Sequence, residues 1–136
     1  MSWIVDTCIL LDIFEADPEF ATASADVLDR LDSDGLELAP VSYVELAPAF
    51  HGDHFAQDEF LALLGISCNP DGSRDDLLSA HKAWHSQVVR KRRGLAPKRP
   101  IADVLIGALA LRHDGLITRN PADFKALFPS LRIETP

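Results

Sequence analysis

Short apolar runs that stop at polar or turn-forming residues constrain this chain most. Trp3-Ile4-Val5 ends at Asp6 and Thr7, Leu36-Glu37-Leu38-Ala39 leads to Ser42, and Ile66-Ser67-Cys68 runs into Asn69. Leu116-Ile117 ends at Thr118, and Leu131-Arg132-Ile133-Glu134 closes the series. Runs this short, bounded by turn residues, read as strands. The segments between them carry helical periodicity. Strands separated by helices pair in parallel through crossovers, so the expected fold is α/β with a mainly parallel sheet. The length of 136 residues fits a single domain, residues 1–136, able to bury about two-thirds of its extended surface.

The helices follow from their stripes and stops. The first is expected over Thr7 to Glu15, ended by Asp17-Pro18, and the second over Glu19 to Asp32 with Ala23, Val27, Leu28 and Leu31 on one face. Ser42-Tyr43-Val44-Glu45 has the spacing of a capping box, which gives Glu45 a structural role at a helix start. His54 to Leu64 is amphipathic, with Phe55, Phe60, Leu61 and Leu64 on its apolar side. After the turn Asn69-Pro70-Asp71-Gly72, Ser73 caps a long helix with a stripe of Leu77, His81, Trp84 and Val88 that ends at Gly94. A loop from Leu95 to Pro100 precedes Ile101 to Arg112, apolar on nearly all sides and so expected in the core. Asn120-Pro121-Ala122-Asp123 reads as an N-cap, an N1 proline and an acid at N3.

Composition excludes some classes of function. No stretch of eighteen apolar residues and no signal-peptide pattern occurs, so neither a membrane span nor secretion is expected, and the cytoplasm is the default location. Cys8 and Cys68 lack metal-clip spacing and are expected as buried, reduced, inert thiols. A net charge of −8 argues against a general nucleic-acid coat. Yet no acid lies between Ser86 and Ala102, where Arg90, Lys91, Arg92, Arg93, Lys98 and Arg99 supply six of the thirteen basic residues. A local basic face of this kind suits a phosphate backbone.

The acids carry the chemistry. Asp6, Glu45, Asp103 and the pair Asn120/Asp123 each fall within a turn of an expected helix start, where capping or the helix dipole explains any one of them. Helix starts that follow parallel strands face one edge of the sheet, so three carboxylates from distant segments are aimed at one crevice. At roughly 5 Å and an effective dielectric near 20, each pair repels by about 3 kcal/mol. Three pairs approach the whole stability of a small domain, about 5–15 kcal/mol. A divalent cation or protonation removes that cost. The candidate ligands are hard oxygens, which favours Mg2+ or Mn2+ over Zn2+ and suits phosphodiester hydrolysis. His81 and His85 stand four apart without the acid between them that a metalloprotease helix needs, and read as core or surface residues.

Four segments in order, Ile4 to Asp12, Glu45 after the second strand, Ile101 to Ala110, and Leu116-Ile117-Thr118-Arg119-Asn120-Pro121-Ala122-Asp123-Phe124, resemble the PIN domains, and most closely the VapC-type toxins of toxin–antitoxin pairs. The resemblance covers the whole chain. It implies a three-layer α/β/α sandwich, a Mg2+- or Mn2+-dependent ribonuclease, a homodimer, an RNA substrate and a VapB-like antitoxin. By position, Asp6 and Asp103 look like metal ligands, Glu45 like a ligand or the residue orienting the attacking water, and Thr7 and Thr118 like hydroxyls that hold carboxylates or water. The fourth acid of the family falls at or near Asn120, an amide here, with acidic Asp123 one turn further on. That departure motivates an alternative, a non-catalytic PIN-like binding or assembly module. An aspartate-phosphorylated α/β domain is the other; Thr7 and Cys8 stand where it needs an acidic neighbour of Asp6.

Overall fold

The computed structural model describes residues 2–68, 73–92, 94 and 101–136. The strands are β1 (Trp3–Val5), β2 (Leu36–Leu38), β3 (Ile66–Cys68), β4 (Gly115–Ile117) and β5 (Ile133–Glu134). They form one sheet in the order β3-β2-β1-β4-β5, every neighbour parallel. The helices are α1 (Thr7–Phe14), α2 (Ala21–Leu31), α3 (Pro40–Glu45), α4 (His54–Leu63), α5 (Arg74–Arg92), α6 (Ile101–Leu111) and α7 (Pro121–Leu127), with 3-10 turns at Asp32–Asp34 and Ala47–Phe50.

Alternation along the strands makes this a three-layer α/β/α sandwich. Trp3 and Val5 of β1 enter a core with Ile9, Leu10, Val27 and Leu28, while Ile4 enters a second core with Val104, Ile106, Ala108 and Phe124. In β4, Leu116 belongs to the second core and Ile117 to the first. The two central strands, β1 and β4, are therefore sealed on both faces. On the second face, Gly107 lets α6 meet the segment after α7, since a Cβ there would stand 2.5 Å from the Phe128 ring.

The strand order reverses between β1 and β4, because the chain winds outward through β2 and β3 before crossing back. The crossover returns through α5 and α6. Arg112, just after α6, makes a bidentate ion pair with Asp76 near the start of α5, so the two helices lie antiparallel. The end of α6 feeds the start of β4, and its beginning therefore lies at the edge where β1 and β4 finish.

Several expectations are corrected. Pro40 takes the first position of α3 with Ala39 before it, so the helix starts earlier than the Ser42 spacing suggests. Ser42 is buried at the third position, its hydroxyl without a partner among the described residues, and Glu45 ends the helix; there is no capping box. Phe55 faces solvent beside His54 rather than the core, because Asp53 caps α4 and turns Gln57 and Leu61 inward. The Asp76–Arg112 pair and a reciprocal Ser73–Asp76 cap rotate α5 so that Asp76, Ala80 and Gln87 face inward. Leu77 of the expected stripe is left exposed, and His81 is a surface residue. α6 is not buried all round: Ile101, Leu105 and Leu111 face outward. Cys8 and Cys68 are free thiols but only partly buried. The expected turn Asn69–Gly72 and loop Leu95–Pro100 lie outside the described residues.

Candidate active site

Asp6 follows β1 and Thr118 follows β4, on the two strands that flank the reversal of strand order. In α/β sheets this crevice is where ligands bind. The register pairs Val5 with Ile117, and the Asp6 N–H donates to the Ile117 carbonyl at 2.9 Å, so Asp6 and Thr118 stand side by side. Asp6 caps α1, its Oδ1 accepting from the Thr7 N–H at 2.8 Å. Oδ2 accepts from the Thr118 hydroxyl at 2.7 Å and from the Cys8 thiol at 3.4 Å.

Two further residues join through these threonines. The Thr7 hydroxyl donates to Glu45 Oε1 at 2.9 Å, which brings the end of α3 to the start of α1. The Thr118 hydroxyl accepts from the Asn120 N–H at 3.1 Å while it donates to Asp6. Both hydroxyls donate to carboxylates. Asn120 occupies the N-cap position of α7, as expected, but its side chain makes no capping bond. Asp103 is half-buried in the first turn of α6, and Asp123 is half-buried in the first turn of α7.

Burial dominates the electrostatics of Asp6. It raises the proton affinity of the carboxyl above the usual carboxylate range, against the lowering effects of the Thr118, Cys8 and Thr7 hydrogen bonds and the nearby Arg119 charge. The Cys8 thiol is pushed up to about 11, first by burial and then by the Asp6 charge, so it stays protonated as a donor to Asp6. As a donor to Asp6 it belongs to the site.

The donor set fits a hard divalent cation. A buried carboxylate held by one hydroxyl, one thiol and a backbone N–H, with a second carboxylate one threonine away, supplies oxygen ligands, and the carboxyl that burial penalises gains most from a cation. Among the described residues, no three acid, histidine or cysteine side chains close around one point. Asp6 and Glu45 are linked through Thr7, and Asp103 and Asp123 stand in the first turns of α6 and α7.

One charged cluster was missed in the sequence. The Arg119 guanidinium donates to both oxygens of Asp12, at 2.6 and 3.0 Å, and Ser24 donates to the same carboxylate at 3.2 Å. Arg119 also lies over the Phe20 ring, 4.3 Å from its centre. The cluster fastens the link between β4 and α7, which carries Thr118 and Asn120, to α1 and α2. The available signal was Asp12, an acid inside an otherwise apolar helix: a carboxylate there needs a cation, and Arg119 is the base flanked by Thr118 and Asn120.

The basic run is placed in part. Arg90, Lys91 and Arg92 are exposed at the end of α5, while Arg93, Lys98 and Arg99 lie outside the described residues. Among the described residues, no helix is long and apolar enough to cross a membrane.

Comparison with known proteins adds the following. A family model described as PIN domain matches residues 3–127. No curated protein matches the sequence. Nine chains of solved structure match. Among them is the crystal structure of VapBC2 from Rickettsia felis bound to a DNA fragment from its promoter, with a TM-score of 0.68 and 19 % identity, covering 100 % of this chain and 99 % of that one. At that identity the likeness speaks for the fold.

Proposed function

Because the chain belongs to the PIN domain family, whose members are generally nucleases, we propose that it is an endoribonuclease toxin of the VapC type. It hydrolyses RNA phosphodiester bonds with Mg2+ or Mn2+ and is held inactive by a VapB-like antitoxin. The observation that carries this reading is the hydrogen-bonded chain Glu45, Thr7, Asp6, Thr118, Asn120 across the β1–β4 crevice.

Asp6, Asp103 and Glu45 would hold the cation, with Asn120 and Asp123 completing the acidic rim. A divalent ion bound there supplies positive charge to the phosphoryl oxygens. The residues of the chain do the rest. Thr118 and the Thr7 N–H fix both Asp6 oxygens, so the carboxylate is aimed before substrate arrives. Glu45, the outermost of the linked acids and steadied by Thr7, orients the attacking water. Water adds to phosphorus in line, the 3′-oxygen leaves, and the products are a 5′-phosphate and a 3′-hydroxyl. Arg90, Lys91 and Arg92, with Arg93, Lys98 and Arg99, bind the RNA backbone.

The chain acts as a homodimer in the cytoplasm, and its antitoxin docks near α2 and α3. The solved neighbour is itself a VapBC assembly on promoter DNA, which supports a partner of this kind.

Cleavage of total cellular RNA with Mg2+, Mn2+ or chelator, beside Asp6→Asn and Asp103→Asn, tests the reading. Discrete fragments that need metal and vanish in both variants are expected. Metal-independent cleavage, or cleavage that survives both substitutions, would refute it. The amide at Asn120 favours one second reading, a binding module without catalysis. In that case, protein freed of any partner cuts nothing, and its melting temperature does not respond to Mg2+.

A further inference from the structure

Away from the crevice, one face of α5 and the segment that ends α7 enclose a groove of about 340 Å³. Lys82, Ser86 and Arg90 line it at successive turns of α5, opposite Phe128 and Ser130, and among the described residues no acid contributes to its lining. That lining departs from the chain as a whole, which has 21 acids against 13 Lys and Arg residues. Lys82 and Arg90 are exposed, and eight residues of helix separate them by roughly 12 Å.

Arg90 belongs both to this groove and to the basic end of α5. The antiparallel α5–α6 pair, fixed by Asp76 and Arg112, sets that basic end beside the start of α6, the end that carries Asp103. The groove therefore begins near the candidate site and runs away from it along α5. Its hydroxyls and two cations suit phosphate oxygens, and its apolar floor suits ribose and base faces.

We propose that this groove binds the phosphate backbone of the RNA strand that continues beyond the scissile bond. The proposal rests on the ribonuclease reading and deepens it: the substrate is an RNA with a strand extending several nucleotides to one side of the cut. The groove reads the backbone and leaves base choice to the crevice.

The test uses protein carrying Asp6→Asn, so that RNA stays intact, and labelled single-stranded RNAs of about 4 and about 16 nucleotides over a range of salt. Lys82→Glu is compared with Arg74→Glu, the same charge change at the far end of α5 and outside the groove. Lys82→Glu is expected to weaken binding of the longer RNA about tenfold and to lower the slope of log affinity against log salt by about 0.7 or more. Arg74→Glu and the shorter RNA are expected to show much smaller changes. Circular dichroism confirms that both variants fold.

Equal effects from the two substitutions, or none from Lys82→Glu, would overturn the groove proposal while wild-type cleavage leaves the nuclease reading standing. Loss of a dimer in Lys82→Glu with RNA affinity unchanged would overturn it in favour of a contact between copies. If no variant binds RNA and the wild type cuts none, both readings fall together.

Discussion

Arg119→Ala should be among the most damaging single changes available outside the hydrophobic cores. Asp12 keeps 4 % of its side chain exposed and Arg119 keeps 30 %, so the substitution strands a buried carboxylate with Ser24 as its remaining donor. Removing one partner of a fully buried pair costs about 3–5 kcal/mol, whereas exposed pairs contribute about 0–1 kcal/mol. One buried and one partly exposed partner place the loss at about 2–3 kcal/mol, including roughly 0.5 kcal/mol for the contact with Phe20. For a chain of this size that lowers the melting temperature by about 10 °C. Urea denaturation of Arg119→Ala, Asp12→Asn and the double variant measures it. The loss in the double variant should be smaller than the sum of the single losses by about 1 kcal/mol or more, because it leaves no buried charge unpaired. Additive losses within about 0.4 kcal/mol, or a loss below 1 kcal/mol for Arg119→Ala, would show that the pair is solvated and does not fasten the β4–α7 link.

The remaining predictions concern charge and packing. Burial raises the Asp6 carboxyl in the folded state, so the folded protein binds that proton more tightly than the unfolded chain; stability is greatest below the ordinary value of 3.8 and is lost as pH rises through the raised value. Asp6→Asn should therefore raise the melting temperature of metal-free protein at pH 7 while removing its response to Mg2+, and calorimetry showing a decrease would contradict the assigned cost. Asp76 is held below 3.8, chiefly by its hydrogen bond to Arg112, so its contribution is present above 3.8 and disappears as pH falls through the lowered value. Because Arg112 is 45 % exposed, solvent screening limits that contribution to roughly 0.5 kcal/mol, and Asp76→Asn should flatten the acid limb of a stability–pH curve by about this much. Gly107→Ala, although alanine favours helix by about 1 kcal/mol, should destabilise by about 1–3 kcal/mol, since the new methyl meets the buried Phe128 ring. An unchanged denaturation midpoint would mean that the ring moves aside freely.

Most of the fold was legible because the strands announce themselves. Each apolar run is short and bounded by turn residues, and the observed strands fall inside the expected runs, except that β4 starts one residue earlier, at Gly115. Asp6 and Thr118 were legible for the same reason, since they end runs that turn out to be neighbours. Helix faces were read less well. Leu77 was assigned to a buried stripe on hydropathy, but a side-chain ion pair that joins residues 36 apart, Asp76 with Arg112, decides how α5 is rotated. Glu45 illustrates a local signal overruled by a stronger one: Pro40 fixes the start of α3, and the acid that looked like half of a cap is released to the crevice. Asp12 and Arg119 were passed over because their partnership spans 107 residues, and no periodicity reports contacts at that distance.

The pairing of Asp6 with Thr118 spans 112 residues, and it also sets when the crevice can exist during synthesis. Chains emerge from the ribosome at about 5–20 residues per second and are free to fold from the first segment onward. By the time β3 has emerged, Asp6, Thr7 and Glu45 can already meet, but β1 has an unpaired edge on the side that β4 will occupy. The half-built crevice has neither the hydroxyl that aims Asp6 nor the guanidinium that neutralises Asp12. On the ribonuclease reading, the nascent enzyme is therefore harmless to the messenger and the transfer RNAs producing it. On that reading, activity would begin only when the last crossover closes, at the stage when an antitoxin already present would have a complete surface to capture.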